Sequence, residues 1–262
     1  MESKGGPSNT ECSHTRDLVE SVCFDEESMP IKLSRMIPYV FIISFSVVGN
    51  ILVAVVVFRV RSMRKAVNFF IVNMAISDLL ITVVYMPRVM SILLVGYKWL
   101  SRGITGLVFC KLVYFIHETA LSVSIFSAVC ISGERFLAVV RPFKSLAKST
   151  KPARYLIAMT WIVSLVMRVP ILLANETAES CGKIYCEFFL DKVFWSGSAV
   201  AYHKINLIGM YTTPFGVMVA LYSATIVTLK RRDRPGNSIA TENTQPSETM
   251  NKKVSQIRRA HV

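Results

Sequence analysis

Five long apolar segments constrain this chain more than any other feature. They lie at residues 37–58, 69–95, 110–140, 155–173 and 201–229, and are called spans one to five below. A helix of about 20 mostly apolar residues crosses the hydrocarbon core of a bilayer. A soluble core would need five such segments by accident, in a chain that is 52% hydrophobic and 18% charged. The sequence therefore predicts an all-α, polytopic transmembrane helix bundle.

The basic residues predict how these spans are oriented. Lys and Arg are concentrated after spans one, three and five and supply most of the net charge of +13. Cytoplasmic loops carry such an excess of positive charge, and anionic lipid attracts it. We therefore expect residues 1–36 to form an extracellular tail and residues 230–262 to be cytoplasmic. The charge indicates contact with membrane lipid and no nucleic-acid partner, because no base-reading or aromatic pattern accompanies it.

Span three ends in an acid beside an arginine, Glu134 and Arg135, followed by Phe136. An arginine in or beside a bilayer is costly, which makes it a candidate functional residue. Cys110 precedes Arg135 by 25 residues, and this distance along the chain covers roughly 37 Å of helix. One helix would therefore carry a cysteine at one membrane face and the Glu–Arg pair at the other.

The six cysteines indicate a disulfide on the extracellular side. Cys130 lies in the middle of span three and is predicted to be a packing residue. The other five fall where disulfides persist, and an odd number leaves one over or paired outside the chain. They are Cys12, Cys23, Cys110, Cys181 and Cys186.

A glycosylation sequon begins at Asn175, just after span four. The predicted topology places it on the extracellular side, where glycans are attached. We therefore expect a glycan on Asn175.

Further motifs occur in register along the spans. They are Gly49-Asn50 in span one, Asn73 to Asp78 and Pro87 in span two, Trp99 after it, Cys110, Ser124, Ile125 and Glu134-Arg135-Phe136 in span three, Trp161 and Pro170 in span four, and Pro214 and Tyr222 in span five. A chance match would have to satisfy every spacing at once. Across nearly all of residues 38–262 the chain resembles a rhodopsin-like (class A) G-protein-coupled receptor.

The resemblance implies that the end of span three couples to a heterotrimeric G protein. In this family the arginine of the motif is released on activation and meets the G protein, so Glu134, Arg135 and Phe136 are assigned to coupling. Phe136 replaces the commoner Tyr. Pairing of receptors into dimers and a location in the plasma membrane are also implied. The further switch residues implied by the resemblance are Ile125, Pro214 and Tyr222.

A buried acid in span two, Asp78, predicts a polar core site. An intramembrane carboxylate costs free energy unless it is paired or hydrated. In the family the matching residues hold a sodium ion, which assigns Asn50, Asp78 and Ser124 to this role. The alternative is a plain buried hydrogen-bond network. No other cofactor is expected.

The resemblance also implies a disulfide between Cys110 and the loop before span five. Cys186 is the favoured partner, because residues 184–188 alternate like a strand of the hairpin seen there in peptide receptors. Cys181 remains an alternative. Cys12 and Cys23 are expected to close a small loop of their own.

A ligand pocket is expected in the outer half of the bundle. His117 stands where amine receptors of this family carry an Asp, so a monoamine is disfavoured. The acidic outer face instead suits a cationic neuropeptide. Arg168, also in this half, is interpreted as snorkelling outward to water. The candidate ligand-binding residues are Arg88, His117, Glu118, Glu187, His203 and Asn206.

Other functions are disfavoured. Leu121 stands where a zinc-protease helix starting at His117 would need its second His, so no enzyme is predicted. Spans without repeats argue against a transporter. A photopigment is less favoured, because Val113 replaces the acid found in many such pigments and the retinal-binding Lys would lie on a seventh span.

Residues 230–262 are expected to form the third cytoplasmic loop and the start of a sixth helix. Five spans of a seven-span family predict a chain that does not signal alone. The alternatives are a fragment of an ordinary receptor or a decoy isoform that traps a full receptor.

Overall fold

The five apolar segments form five long helices in the computed structural model, which describes residues 28–140, 151–180 and 182–232. Each helix is long and apolar enough to cross a membrane, and a helix satisfies its own backbone groups where water is absent. The predicted all-α bundle is confirmed. The helices are Met29–Arg59, Ala66–Val95, Gly103–Val140, Lys151–Ala174 and Ser198–Arg231 for spans one to five.

Several predictions concern parts of the chain outside those ranges. The N-terminal tail up to residue 27, the loop at 141–150 and the segment 233–262 are among them. Cys12, Cys23 and Cys181 also lie outside the described residues.

The bundle buries small and polar side chains and turns its large apolar side chains outward. Ala120, Ser122 and Ser127 are fully buried, whereas Phe45 and Val83 are 74% and 66% exposed. Membrane helices pack through small residues that let their backbones approach closely, because lipid is as apolar as leucine. The pattern is that of a protein whose solvent is lipid.

Span three lies at the centre and packs against spans two, four and five, while span one packs against span two. Asn73 joins three of these helices. Its amide nitrogen donates to Ser127 Oγ at 2.8 Å, and its amide oxygen accepts from Trp161 Nε1 at 2.8 Å. This network fixes how spans two, three and four are rotated relative to one another.

Spans two and five each contain a π-helical turn just before a proline. The turns are Ile81–Tyr85, ahead of Pro87, and Leu207–Thr212, ahead of Pro214. A proline removes one helical hydrogen bond and its ring clashes with the carbonyl four residues earlier. That carbonyl falls inside the π turn in both helices. The wider turn relieves the clash and re-aims the residues that follow.

A β-hairpin closes one end of the bundle. Strand β1 (Asn175–Ser180) pairs antiparallel with strand β2 (Lys183–Phe188), through a turn with Gly182 at a φ of 73°. Cys186 of β2 forms a disulfide with Cys110, with 5.7 Å between their Cα atoms. The predicted strand and the favoured disulfide partner are both confirmed. We call this the hairpin end, and the opposite end, where Arg135 lies, the basic end.

Candidate functional site

A cavity of about 560 Å³ lies beneath the β-hairpin, between spans three, four and five. That volume is within the range of small-molecule pockets, and it also suits one or two side chains of a peptide. Aromatic rings form much of its wall, with one acid among them. The lining residues are Tyr114, Glu118, Arg168, Ile171, Asn175, Cys186, Phe188, Tyr202, His203, Asn206, Leu207 and Tyr211.

Arg168 is buried at the junction of three helices, and only 1% of it is exposed. Its Nε and Nη2 donate to Ser122 Oγ of span three at 3.0 and 2.8 Å. Its Nη1 donates to Asn206 Oδ1 of span five at 2.7 Å. The interpretation of Arg168 as snorkelling outward is therefore wrong. The guanidinium points inward because polar partners from both neighbouring helices meet it there.

Glu118 is the acidic partner of this arginine. Its Oε2 lies 3.4 Å from Arg168 Nη1 and accepts a long hydrogen bond from Tyr211 Oη, also at 3.4 Å. Its Oε1 lies 3.6 Å from His117 Nδ1. The side chain of Glu118 is 27% exposed and that of Arg168 is 2% exposed. Glu118 is therefore the more accessible member of the pair, and Arg168 is the buried member.

Helical spacing places these residues on facing surfaces. Tyr114, Glu118 and Ser122 follow one another at intervals of four along span three, so they share one face. Ser164 and Arg168 share the buried face of span four, together with Thr160 and Ile171. The two faces meet, which brings Glu118 within reach of Arg168.

The structure brings three predicted ligand residues to the cavity: Glu118, His203 and Asn206. His117 is beside it, with its ring stacked on Tyr85 at 3.7 Å between centroids. Glu187 is exposed on β2 and does not line the cavity.

Arg88 lies elsewhere, folded against the loop after span two. Its guanidinium donates to the carbonyls of Tyr97 and Lys98, both at 2.9 Å, and sits 4.8 Å from the centroid of the Trp99 ring. These contacts hold the loop in place and engage the guanidinium of Arg88 with the loop. Arg88 lines a separate groove between spans two and three and not the cavity under the hairpin.

Four of the predicted coupling residues lie toward the basic end, namely Glu134, Arg135, Phe136 and Tyr222, whereas Ile125 and Pro214 lie near the middle of spans three and five. Glu134 is buried, with 2% exposed, whereas Arg135 beside it is exposed. Phe136 and Ile125 are half-buried and Pro214 is buried. Tyr222 on span five is 48% exposed. The arginine is thus available at the surface of this end.

The predicted polar core site is partly assembled. Ser124 Oγ donates to Asp78 Oδ1 at 3.1 Å, so these two side chains from spans three and two already meet. Asn50 instead donates to the carbonyl of Ser46 in its own helix at 2.8 Å. A carboxylate and a hydroxyl oxygen are the ligand types that hard cations accept.

The glycosylation predicted at Asn175 does not agree with the structure. Asn175 is 5% exposed, its amide nitrogen donates to the Cys110 carbonyl at 3.4 Å, and it lines the cavity. A glycan joined to that nitrogen would have to occupy the interior beneath the hairpin. The disulfide joins β2 to span three, and β1, which pairs with β2, packs against the same span.

Asp191 caps the start of span five. The backbone N–H of Ala199 and the hydroxyl of Ser198 donate to its Oδ1 at 2.8 and 2.9 Å. These two hydrogen bonds, the one from Ala199 first, lower the pKa of Asp191 below its ordinary value. Hydrogen bonds to the ionised form of a carboxylate have this effect.

Several cavity residues were not predicted from the sequence. Tyr114 and Ser122 are spaced at intervals of four from Glu118, a signal that was present in the sequence. Tyr202 and Tyr211 flank the candidate Asn206 in span five, but the π turn at Leu207–Thr212 changes which residues share a face. No sequence pattern indicated that turn beyond the proline that follows it.

Comparison with known proteins agrees with this architecture. The family described as "7 transmembrane receptor (rhodopsin family)" matches residues 49–260. A QRFP-like peptide receptor of Branchiostoma floridae is 32% identical over 201 residues, covering 75% of this chain and 52% of the relative. A tyramine receptor of Caenorhabditis elegans is 30% identical, covering 76% and 41%. The human substance-K receptor is 29% identical, covering 82% and 52%. The chain spans about half the length of such relatives.

Proposed function

The chain belongs to the rhodopsin family of seven-transmembrane receptors, and from that premise we propose that, as part of a seven-span receptor, it binds an extracellular peptide and activates a heterotrimeric G protein. Members of this family are receptors and not enzymes, and several relatives of this chain are peptide receptors. The chain is a multi-pass membrane protein. Its place is the plasma membrane, with the hairpin end outside and the basic end in the cytoplasm.

The observation that carries the proposal is the pairing of a roofed cavity at one end with an exposed arginine at the other. The disulfide between Cys110 and Cys186 fixes the hairpin above the cavity, leaving a rim against which an extended peptide can lie. The aromatic and acidic lining below receives its terminal or side-chain groups. Arg135 lies at the far end of the same helix, so a shift of span three connects the two sites.

The mechanism is a shift between two packings of the bundle. A ligand that binds one packing better than the other changes their populations, and rigid-body helix movements are a common form of such a change. The π turns in spans two and five are the places where these helices adjust most easily. In the active packing Arg135 contacts the G protein, with Tyr222 beside it.

The test applies a panel of ligands to cells that express these five spans within a complete seven-span receptor, because five spans alone are predicted not to signal. QRFP, substance K and tyramine are each applied, and G-protein subunit dissociation is read by resonance energy transfer. We expect a peptide to activate and the Arg135→Ala variant to be silent at equal surface expression. Activation by tyramine alone would replace the peptide proposal with an amine receptor. Failure of a broad peptide panel to activate would contradict the proposal.

The polar core fits an allosteric sodium ion. Asp78 and Ser124 would hold it, and Asn50 would join them if its amide turned away from Ser46. The ion supplies a positive charge that offsets the half-buried carboxylate of Asp78. Thermal unfolding of the purified receptor checks this: sodium, but not the same concentration of a large organic cation, raises the midpoint. The Asp78→Asn variant removes the difference. An equal midpoint in both salts for the unaltered receptor contradicts it.

A further inference from the structure

We propose that the cavity under the hairpin selects a positively charged ligand group, with Glu118 as the acceptor. Arg168 acts behind it as a fixed counter-charge. This assignment rests on the proposed receptor function and names the chemical class that the same cavity takes. The group is a guanidinium, amidinium or amine, whether it is part of a peptide or of a small molecule.

The different exposure of Glu118 and Arg168 indicates that the cavity selects a positively charged ligand group. A ligand entering the cavity reaches the side chain of Glu118, which is 27% exposed, while that of Arg168 is 2% exposed. The guanidinium donates three hydrogen bonds to neutral partners, Ser122 and Asn206, at 2.7 to 3.0 Å. A ligand therefore reaches the negative member of the pair more readily than the positive one.

The contacts of Glu118 leave its carboxylate under-coordinated. A charge-assisted N–H···O bond usually measures about 2.7–2.9 Å. The contacts of Glu118 with Arg168, Tyr211 and His117 measure 3.4, 3.4 and 3.6 Å. A carboxylate offers about four acceptor positions, and three long contacts do not fill them. Glu118 therefore retains the capacity to accept a short, two-point bond from an amidinium or guanidinium.

Arg168 keeps the carboxylate ready for that bond. Its Nη1 lies 3.4 Å from Glu118 Oε2 as the counter-charge of that carboxylate. Arg168 is itself held in place without Glu118, because spans three and five bind it through Ser122 and Asn206. Glu118 can therefore turn toward a ligand without leaving the arginine unsatisfied.

The aromatic wall favours the same ligand charge. The rings of Phe188, Tyr202 and His203 form a cluster with centroid separations of 5.4 to 5.9 Å. Tyr114 and Tyr211 line the same cavity. Aromatic faces attract cations, and more strongly where water is excluded. The acid and the rings together make a site that a cation fits and a neutral isostere fits less well.

Three planar probes of nearly equal shape test the proposal: benzamidine (cation), benzamide (neutral) and benzoate (anion). Each is titrated against the purified receptor, and binding is read by saturation-transfer NMR. We expect benzamidine to bind at least about tenfold more tightly than benzamide, with benzoate weaker still. This comparison needs no variant. Equal binding of the three, or tighter binding of benzoate, would overturn the assignment.

Two matched variants then locate the effect. Glu118→Gln should reduce benzamidine binding to the level of benzamide. Glu179→Gln removes the same charge from an exposed position of β1, outside the cavity, and should leave the preference for benzamidine intact. Loss of preference in Glu179→Gln, or its persistence in Glu118→Gln, would overturn the role of Glu118. Thermal unfolding of both variants verifies that each is folded.

The probe experiment separates this proposal from the receptor function. Benzamidine selectivity with a silent peptide panel would keep the cation site and reject the peptide assignment. A peptide that activates a receptor without benzamidine selectivity would keep the receptor function and reject the cation site.

Discussion

The two ends of the bundle each carry an acid and an arginine, but they expose opposite members. At the hairpin end Arg168 is buried and Glu118 faces the cavity. At the basic end Glu134 is buried and Arg135 is exposed. Each end therefore offers a different charge to a partner. In the proposed function, the hairpin end offers a negative charge to a ligand and the basic end offers a positive charge to a G protein.

The origin of the difference is the arrangement of the residues in the chain. Glu118 and Arg168 come from two helices whose polar faces meet, so one residue stands behind the other. Glu134 and Arg135 are consecutive in one helix, where neighbouring side chains point about 100° apart. Glu134 faces the bundle and Arg135 faces its edge. Each end thus exposes a single charge.

The largest expected effect comes from breaking the hairpin-end pair. Arg168→Met leaves Ser122, Asn206 and Glu118 without their donor, and loss of one partner of a partly buried pair should lower stability by about 2–3 kcal/mol. Arg135→Met, the matched change at the exposed position, should alter it by less than about 0.5 kcal/mol. Thermal unfolding of the purified receptor measures both. Equal losses would mean that the two arginines do not differ as described.

Arg88 is a third arginine to compare with Arg168 and Arg135, because it is buried and bound by carbonyl groups. Arg88→Met should cost about 1–2 kcal/mol of stability, since two hydrogen bonds to the carbonyls of Tyr97 and Lys98 are lost. The preference for benzamidine should remain, because Arg88 does not line the cavity. Arg102→Met, at an exposed position of the same loop, is the control for stability. A lost probe preference in Arg88→Met would place it in the binding site after all.

Asp191 provides a smaller, pH-dependent effect at the hairpin end. Its folded-state pKa lies below its ordinary value, so its stabilising contribution is present above the unfolded pKa of about 3.9. That contribution is lost as pH falls through the folded pKa. The thermal midpoint of the receptor should exceed that of Asp191→Asn at pH 6, and the gap should close on acidification below pH 4. A gap that stays constant with pH would contradict the capping role.

No effect is expected from the sequon. Asn175 is buried beside Cys110, so Asn175→Gln should not change the electrophoretic mobility of the receptor from mammalian cells. Treatment of the unaltered receptor with a glycosidase should not change its mobility either. A glycan there would obstruct the cavity in which Glu118 is exposed. A mobility shift lost in Asn175→Gln would therefore undermine the account of the hairpin end.

Much of the fold could be predicted from the sequence, because a long apolar segment in lipid must form a helix to satisfy its backbone hydrogen bonds. The strand at residues 184–188 and the partner of Cys110 were also predictable from alternation and position. Helix rotation was harder to predict. The inward direction of Arg168 depends on Ser122 and Asn206 being in neighbouring helices, and these contacts are set by tertiary packing. The sequence did contain one signal for this direction: the polar residues Ser164 and Arg168 are spaced four apart and so share a face of span four.

The proposed function assigns ligand binding to the acid at one end of the bundle and G-protein coupling to the arginine at the other end. Binding and G-protein activation by the most active peptide are measured in cells expressing Glu118→Gln or Arg135→Ala. We predict that Glu118→Gln weakens binding at least about tenfold, while a saturating peptide still activates. Arg135→Ala should bind normally and fail to activate. Loss of binding in Arg135→Ala, or unchanged binding in Glu118→Gln, would contradict this assignment of roles to the two residues.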